Sequence, residues 1–154
     1  MSSTPGSSPA RRRRVHPAWI VAAVSFLKQH PESTGKVGAV GFCWGGGFVD
    51  RLAVASGDKL AAAVAYYGPA PDPAEAAKVQ VPMLLHLAGL DTRVGATAWP
   101  FATALGQAGK EVEVFEYPGA NHAFNNDTSA ERYDKDAATL AWIRTLDFFK
   151  RHLG

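Results

Sequence analysis

Gly41-Phe42-Cys43-Trp44-Gly45-Gly46-Gly47 is the stretch whose reading decides the fold. It follows an apolar run from Lys36 to Phe42 and opens a helical pattern from Trp44 to Ala55. A cysteine with glycine two residues before and two after is the sulfur version of G-x-S-x-G, the strand-to-helix elbow that exposes a nucleophile. The turn is strained, so both flanking positions must be small, and Gly41 and Gly45 fill them. The helix N-terminus aims unpaired N–H groups and a positive dipole end at the sulfur, which supports a thiolate. The N–H of Trp44 is placed to help hold an oxyanion. The competing reading is a buried structural cysteine, a common fate of free cysteine. Placement between a buried strand and a helix is the context that the elbow demands.

Outward from the elbow, strands and helices alternate. Pro17 suits a first helical turn. Trp19, Ile20, Ala23, Val24 and Leu27 then form one helical face that ends near Pro31. After the elbow helix come two apolar runs, Leu60 to Tyr67 and Pro82 to Ala88, separated by a Pro- and Ala-rich loop from Gly68 to Lys78. The spacing predicts a helix from Thr97 to Gln107, ended by Gly109. Glu111 to Tyr117 alternates and reads as a fourth strand nearer the sheet edge. Asp134 to Leu153 carries a long helical pattern with Leu140, Ile143, Leu146 and Phe149. The alternation implies an α/β fold, a mostly parallel sheet with helices on both faces.

A nucleophile needs a base, and the base needs a group that orients it. Of the five histidines, His16 lies near the N-terminus, and His30 and His152 lie near helix ends. His86 sits inside an apolar strand and reads as a packing residue with one satisfied hydrogen bond. His122 follows the fourth strand, at the end of a parallel sheet where ligands bind. Asp91 follows the third strand at the same end; alone it would read as a turn or cap residue. The chain order Cys43, Asp91, His122 is nucleophile, acid, histidine, as in the α/β-hydrolases. Asp134, at a helix start, fits capping better than catalysis.

The chain has 154 residues, enough for one domain with a real core. Its formal charge is +2, but Arg11, Arg12, Arg13 and Arg14 supply four of the cations. The rest, twelve cationic against fourteen acidic residues, is slightly acidic. No basic face is spread along the body, so specific nucleic-acid binding is not expected. Residues 1–16 read as a disordered basic tail, poor in large apolar side chains. The apolar stretch after the arginines is too short to span a bilayer and lacks a cleavage site, so a cytoplasmic protein is expected. Cys43 is the single cysteine, which excludes an intrachain disulfide and any zinc site built on several cysteines. No metal or organic cofactor is implied.

GFCWGG, the segment from Leu87 to Val94 with Asp91, and GANHAFNND together resemble the dienelactone hydrolases, or carboxymethylenebutenolidases. So do the approach to the elbow from Gly35 and the segment from Tyr133 through Trp142; the likeness runs from about Trp19 to the C-terminus. The resemblance implies an α/β-hydrolase domain over residues 17–154 and hydrolysis of a small-molecule lactone or ester through a Cys43–His122–Asp91 triad. The family's domain begins with further strands ahead of Pro17, which would supply a carboxylate near the cysteine, a second oxyanion N–H and a substrate-gripping arginine. Members that act on diene lactones resemble one another in an arginine four residues after the histidine, where this sequence has Asn126. The alternative is an N-terminally truncated, weak or silent homologue that serves as a binding or assembly module, or a gene fragment. A thiol esterase with an unrelated substrate is a third reading. In either case the strand from Lys36 to Phe42 would lack one neighbour, and self-association through that edge is expected.

Overall fold

The computed structural model describes residues 18–154. The basic tail assigned to residues 1–16, and Pro17 as a first-turn residue, lie outside the described residues. Four strands, β1 (Gly38–Phe42), β2 (Ala62–Tyr66), β3 (Met83–Ala88) and β4 (Val112–Tyr117), form one sheet in the order β1-β2-β3-β4. Every pairing is parallel, with Val40 beside Val64, Val64 beside Leu84 and Leu84 beside Glu113. Among the described residues β1 has a strand neighbour on one side only.

Helices cover both faces. Helix α1 (Ala18–Gln29), α2 (Trp44–Ala55) and α3 (Thr92–Gln107) lie over one face, and α4 (Lys135–Leu153) over the other. Side-chain alternation on the strands sorts the two cores. Ala63, Ala65, Met83, Leu85 and Leu87 pack under α2 and α3. Ala62, Val64, Tyr66 and Leu84 pack under α4.

One added turn, one helix start and two faces differ from the sequence reading. The loop from Gly68 to Lys78 contains a 3-10 turn over Pro73–Lys78, capped by the Asp72 side chain on the Ala74 N–H at 2.9 Å. Helix α3 starts five residues earlier than its spacing predicts, because Asp91 caps it through the Val94 N–H at 3.1 Å. Pro100 therefore lies inside the helix rather than in its first turn. Of the apolar stripe of α4 only Phe149 packs against the core: Leu140, Ile143 and Leu146 are exposed, while Ala137, Ala138, Ala141, Thr145 and Phe148 are buried. The sheet beneath offers the large rings of Tyr66, His86 and Tyr117, so small helix residues must meet them. On α1, Val24 is buried with Ile20 and Val21 packed beside it, whereas Trp19, Ala23 and Leu27 are exposed.

His86 is fully buried, as a strand histidine should be, but holds two hydrogen bonds rather than one. Its Nδ1 meets the Tyr117 hydroxyl at 2.9 Å and its Nε2 the Thr145 hydroxyl at 3.0 Å. Thr145 also bonds the Tyr66 hydroxyl at 2.7 Å, and Arg144 donates to Tyr117 at 3.2 Å. The chain is satisfied with a neutral imidazole. Burial first, and the Arg144 charge second, lower the His86 pKa to about 3. Asp50 on α2 is the opposite case: it is buried, and its Oδ1 has no partner among the described residues. Burial pushes its pKa up to about 8 against the opposing pull of Arg51.

The Asp50 shift sets a pH dependence. Between about pH 4 and pH 8 the folded carboxyl holds a proton that the unfolded one has lost, so stability falls as pH rises through that window. His86 works in the opposite direction below its ordinary value and is common to wild type and variant. Thermal unfolding at pH 5 and pH 8 should show a smaller pH-driven loss in Asp50→Asn than in wild type. Equal losses in the two proteins would contradict a protonated, buried Asp50.

Candidate active site

Each candidate residue stands where a strand has just ended. Cys43 follows β1 as the N-cap of α2, with φ 55° and ψ −119°. That left-handed value is costly for a residue with a Cβ and is tolerated only where the surroundings enforce it. Here the surroundings are backbone against backbone. The Cys43 N–H donates to the Tyr66 carbonyl at 3.0 Å, tying the elbow to the end of β2. A Cβ on Gly41 would collide with the Gly45 carbonyl, and one on Gly46 would sit 2.5 Å from the Tyr66 oxygen. A Cβ on Gly68 would collide with the Gly46–Gly47 backbone. The space requirement thus falls on Gly41, Gly46 and Gly68, and on Gly47, where a Cβ would sit 2.7 Å from the Pro69 oxygen. Gly45 faces nothing within 4 Å, so its part in the elbow motif is not the steric one that the sequence reading gave it.

Asp91 follows β3, and its two carboxylate oxygens do different things. Oδ1 caps α3, and Oδ2 lies 2.5 Å from Nδ1 of His122. One carboxylate therefore both caps α3 and contacts His122. Its side chain is 7% exposed, so that contact is largely shielded from water. His122 follows β4, and its Nε2 lies 3.0 Å from Cys43 Sγ. The three residues, 79 and 31 positions apart in sequence, form one continuous hydrogen-bonded line. Cys43 is exposed, which excludes the buried structural cysteine.

Trp44 is the first residue of α2, so its N–H belongs to the first turn, where no intrahelical acceptor exists. Its indole is exposed and stacks on Phe48 at 5.4 Å, beside Trp19 on the same phenyl ring at 6.0 Å.

Tyr67 was not singled out in the sequence. It follows β2 with φ 38°, and its ring stands edge-on to His122 at 5.1 Å and to Phe124 at 5.2 Å. Burial is the main reason its phenol is pushed up to about 12. The signal was available: β1, β3 and β4 each deliver a site residue just past their C-terminal ends, and Tyr67 is what β2 delivers. A cavity of about 370 Å³ opens beside the sulfur, lined by Phe42, Cys43, Tyr67, Ala123, Asn125 and Asn126. A second, of about 450 Å³, is lined by Asp91, Arg93, Asn121, His122, Glu131 and Arg132. Among the described residues no group of three or more His, Cys, Asp or Glu is placed to hold a metal ion, and no helix is long and apolar enough to cross a membrane.

A parallel sheet with helices on both faces, and a nucleophile elbow leading the site, define an α/β-hydrolase fold. The dienelactone hydrolase family model matches residues 8–153, and the chain belongs to that family. It is 36% identical over 129 residues to a carboxymethylenebutenolidase of Pseudomonas putida, an alignment that takes in 82% of this chain and 53% of that protein. Among solved structures it resembles a dienelactone hydrolase-like promiscuous phosphotriesterase from metagenomic libraries, with a TM-score of 0.76 and 26% identity over 86% of this chain and 59% of that one. It also resembles the dienelactone hydrolase of Anabaena variabilis, with a TM-score of 0.69 and 25% identity over 88% and 58%. The chain thus spans about half the length of the curated relatives it matches.

Proposed function

We propose that this chain carries the catalytic centre of a hydrolase that cleaves a small-molecule lactone or carboxylic ester, with Cys43 as nucleophile, His122 as base and Asp91 as the orienting acid. The observation that carries the reading is the unbroken line from Cys43 Sγ through His122 to Asp91 Oδ2. An ionised Asp91 can only accept, so His122 Nδ1 carries the hydrogen and Nε2 is free to take the thiol proton. The thiolate then attacks the carbonyl carbon, and the carbonyl π pair moves onto oxygen. The Trp44 N–H donates to that oxyanion. On collapse the C–O bond to the leaving alcohol breaks, and His122 returns its proton to the departing oxygen. A water, deprotonated by His122, attacks the thioester and releases the acid and the thiol. No metal or organic cofactor enters this scheme.

Turnover of an activated aryl ester tests the assignment. Cys43→Ala should abolish it, and His122→Ala should lower kcat by about 10²–10⁴-fold, the scale of a lost general base. Asp91→Asn keeps the α3 cap, since Asn caps as well as Asp, but should still reduce kcat; Asp91→Ala should reduce kcat and also cost about 1 kcal/mol of stability. Turnover that survives Cys43→Ala contradicts the reading. Wild-type protein without any turnover favours a binding or assembly module instead.

We also infer that two copies of the described domain associate through β1. Among the described residues the strand is paired on one side only, and Val40 and Phe42 are exposed beside it. Neither carries a charge that would blunt pairing with another strand. Light scattering across a concentration series should show mass rising above that of one chain. A monomer at every concentration, with slow amide exchange along β1, would contradict it.

A further inference from the structure

Helix α4 turns an ordered pattern away from the sheet. Its alanines and Phe148 face the core. The opposite side carries Asp136, Leu140, Ile143, Asp147 and Lys150 at alternating steps of four and three residues, with Thr139 and Leu146 beside them, and all of these are exposed. Alternating steps of four and three keep one helix face turned toward one neighbour, the spacing of a two-helix seam. Leu140 is 43% exposed, Ile143 51% and Leu146 50%. Apolar side chains scattered singly over a surface are ordinary, but three in line on one helix form a patch. The pattern is also symmetric about Ile143. Leu140 and Leu146 stand three residues either side of it, Thr139 and Asp147 four, and Asp136 and Lys150 seven. An antiparallel copy of the helix that crosses at Ile143 therefore sets Leu140 beside Leu146, the Thr139 hydroxyl beside the Asp147 carboxylate, and Asp136 beside Lys150, each contact made twice. A parallel copy would instead set Asp136 on Asp136 and Lys150 on Lys150. Among the described residues neither Asp136 nor Lys150 has an ion-pair partner.

We propose that the outer face of α4 docks against α4 of a second copy of this chain, with the two helices antiparallel about a two-fold axis at Ile143. Leu140, Ile143 and Leu146 supply the apolar centre, and the Asp136–Lys150 pairs at either end fix direction and register. This surface is separate from β1: it lies on the side of α4 away from the sheet, whereas β1 would pair edge to edge. It is also independent of the reading of Cys43 as nucleophile, because no residue of the line from Cys43 to Asp91 lies on α4. A patch one helix face wide suits a reversible pair rather than a permanent one.

Disulfide trapping in a Cys43→Ala background reads the contact directly. An Ile143→Cys thiol would stand at the axis and meet its own copy, so mild oxidation should give a covalent dimer. Gln107→Cys, exposed at the end of α3, should stay monomeric at the same protein concentration. Charge reversal reads the register. Asp136→Lys or Lys150→Asp alone would bring like charges together twice in each dimer, and should weaken association in sedimentation by about tenfold. The two reversals combined should restore it. Each reversal opposes the α4 dipole, so recovery in the double variant cannot come from a steadier helix. An Ile143→Cys protein that forms no more covalent dimer than Gln107→Cys overturns the proposal, as does a double variant that associates no better than the single ones. Association unmoved by either single reversal assigns the pairing to β1 and also overturns it. A trapped α4 pair in a protein that hydrolyses no ester contradicts the proposed function and leaves this surface standing. Cys43-dependent hydrolysis without a trapped pair does the reverse.

Discussion

The site depends on one strained residue. Cys43 must hold a positive φ at the end of β1, and it does so because three segments of backbone touch there without side chains between them. Gly41 lies against Gly45, Gly46 against the end of β2, and Gly68 against the first turn of α2. Strain of this kind costs on the order of 1–3 kcal/mol and persists only when the surroundings over-determine it. Its return is positional: the sulfur projects from the rim of the sheet instead of sinking into either core, and the first turn of α2 points its free N–H groups at the same spot. A larger residue at Gly46 or Gly68 would push α2 off β2 and move the thiol away from His122.

The second dependence is on Asp91, which serves two structures at once. One oxygen starts α3 and the other meets His122. Sharing ties the imidazole's orientation to the helix packed under Met83, Leu85 and Leu87. Tyr67, itself packed on Phe124, sets its ring edge-on to the imidazole. The histidine sits in an otherwise mobile kind of element, a loop, yet it is gripped by a capped helix, an aromatic edge and the elbow. Rigid support of this sort holds the imidazole Nε2 within hydrogen-bond reach of the Cys43 sulfur.

Much of this was legible in the chain because it depends on local chemistry. The glycine-rich turn around Cys43 announces itself by spacing, and Asp91 and His122 by following apolar runs in the expected order. The start of α3 was misplaced because its cap, Asp91, lies well ahead of Thr97 on a residue with a second task. The α4 face was misread because periodicity shows which residues are apolar, not which apolar residues fit. The large rings of Tyr66, His86 and Tyr117 leave room for alanines, and Leu140, Ile143 and Leu146 are turned outward. Gly68 and Tyr67 lie in a segment with no motif of its own, and their roles exist only in contact with the elbow and with His122.

The central claim is that a carbonyl substrate passes through a thioester on Cys43. Rapid acid quench of the protein during turnover of an activated aryl ester, followed by intact and peptide mass analysis, measures this directly. The account predicts one acyl group per chain, located on Cys43, that appears before the free acid and decays as substrate is exhausted. Acylation at another residue, or steady hydrolysis with Cys43 unmodified at every time point, would contradict it.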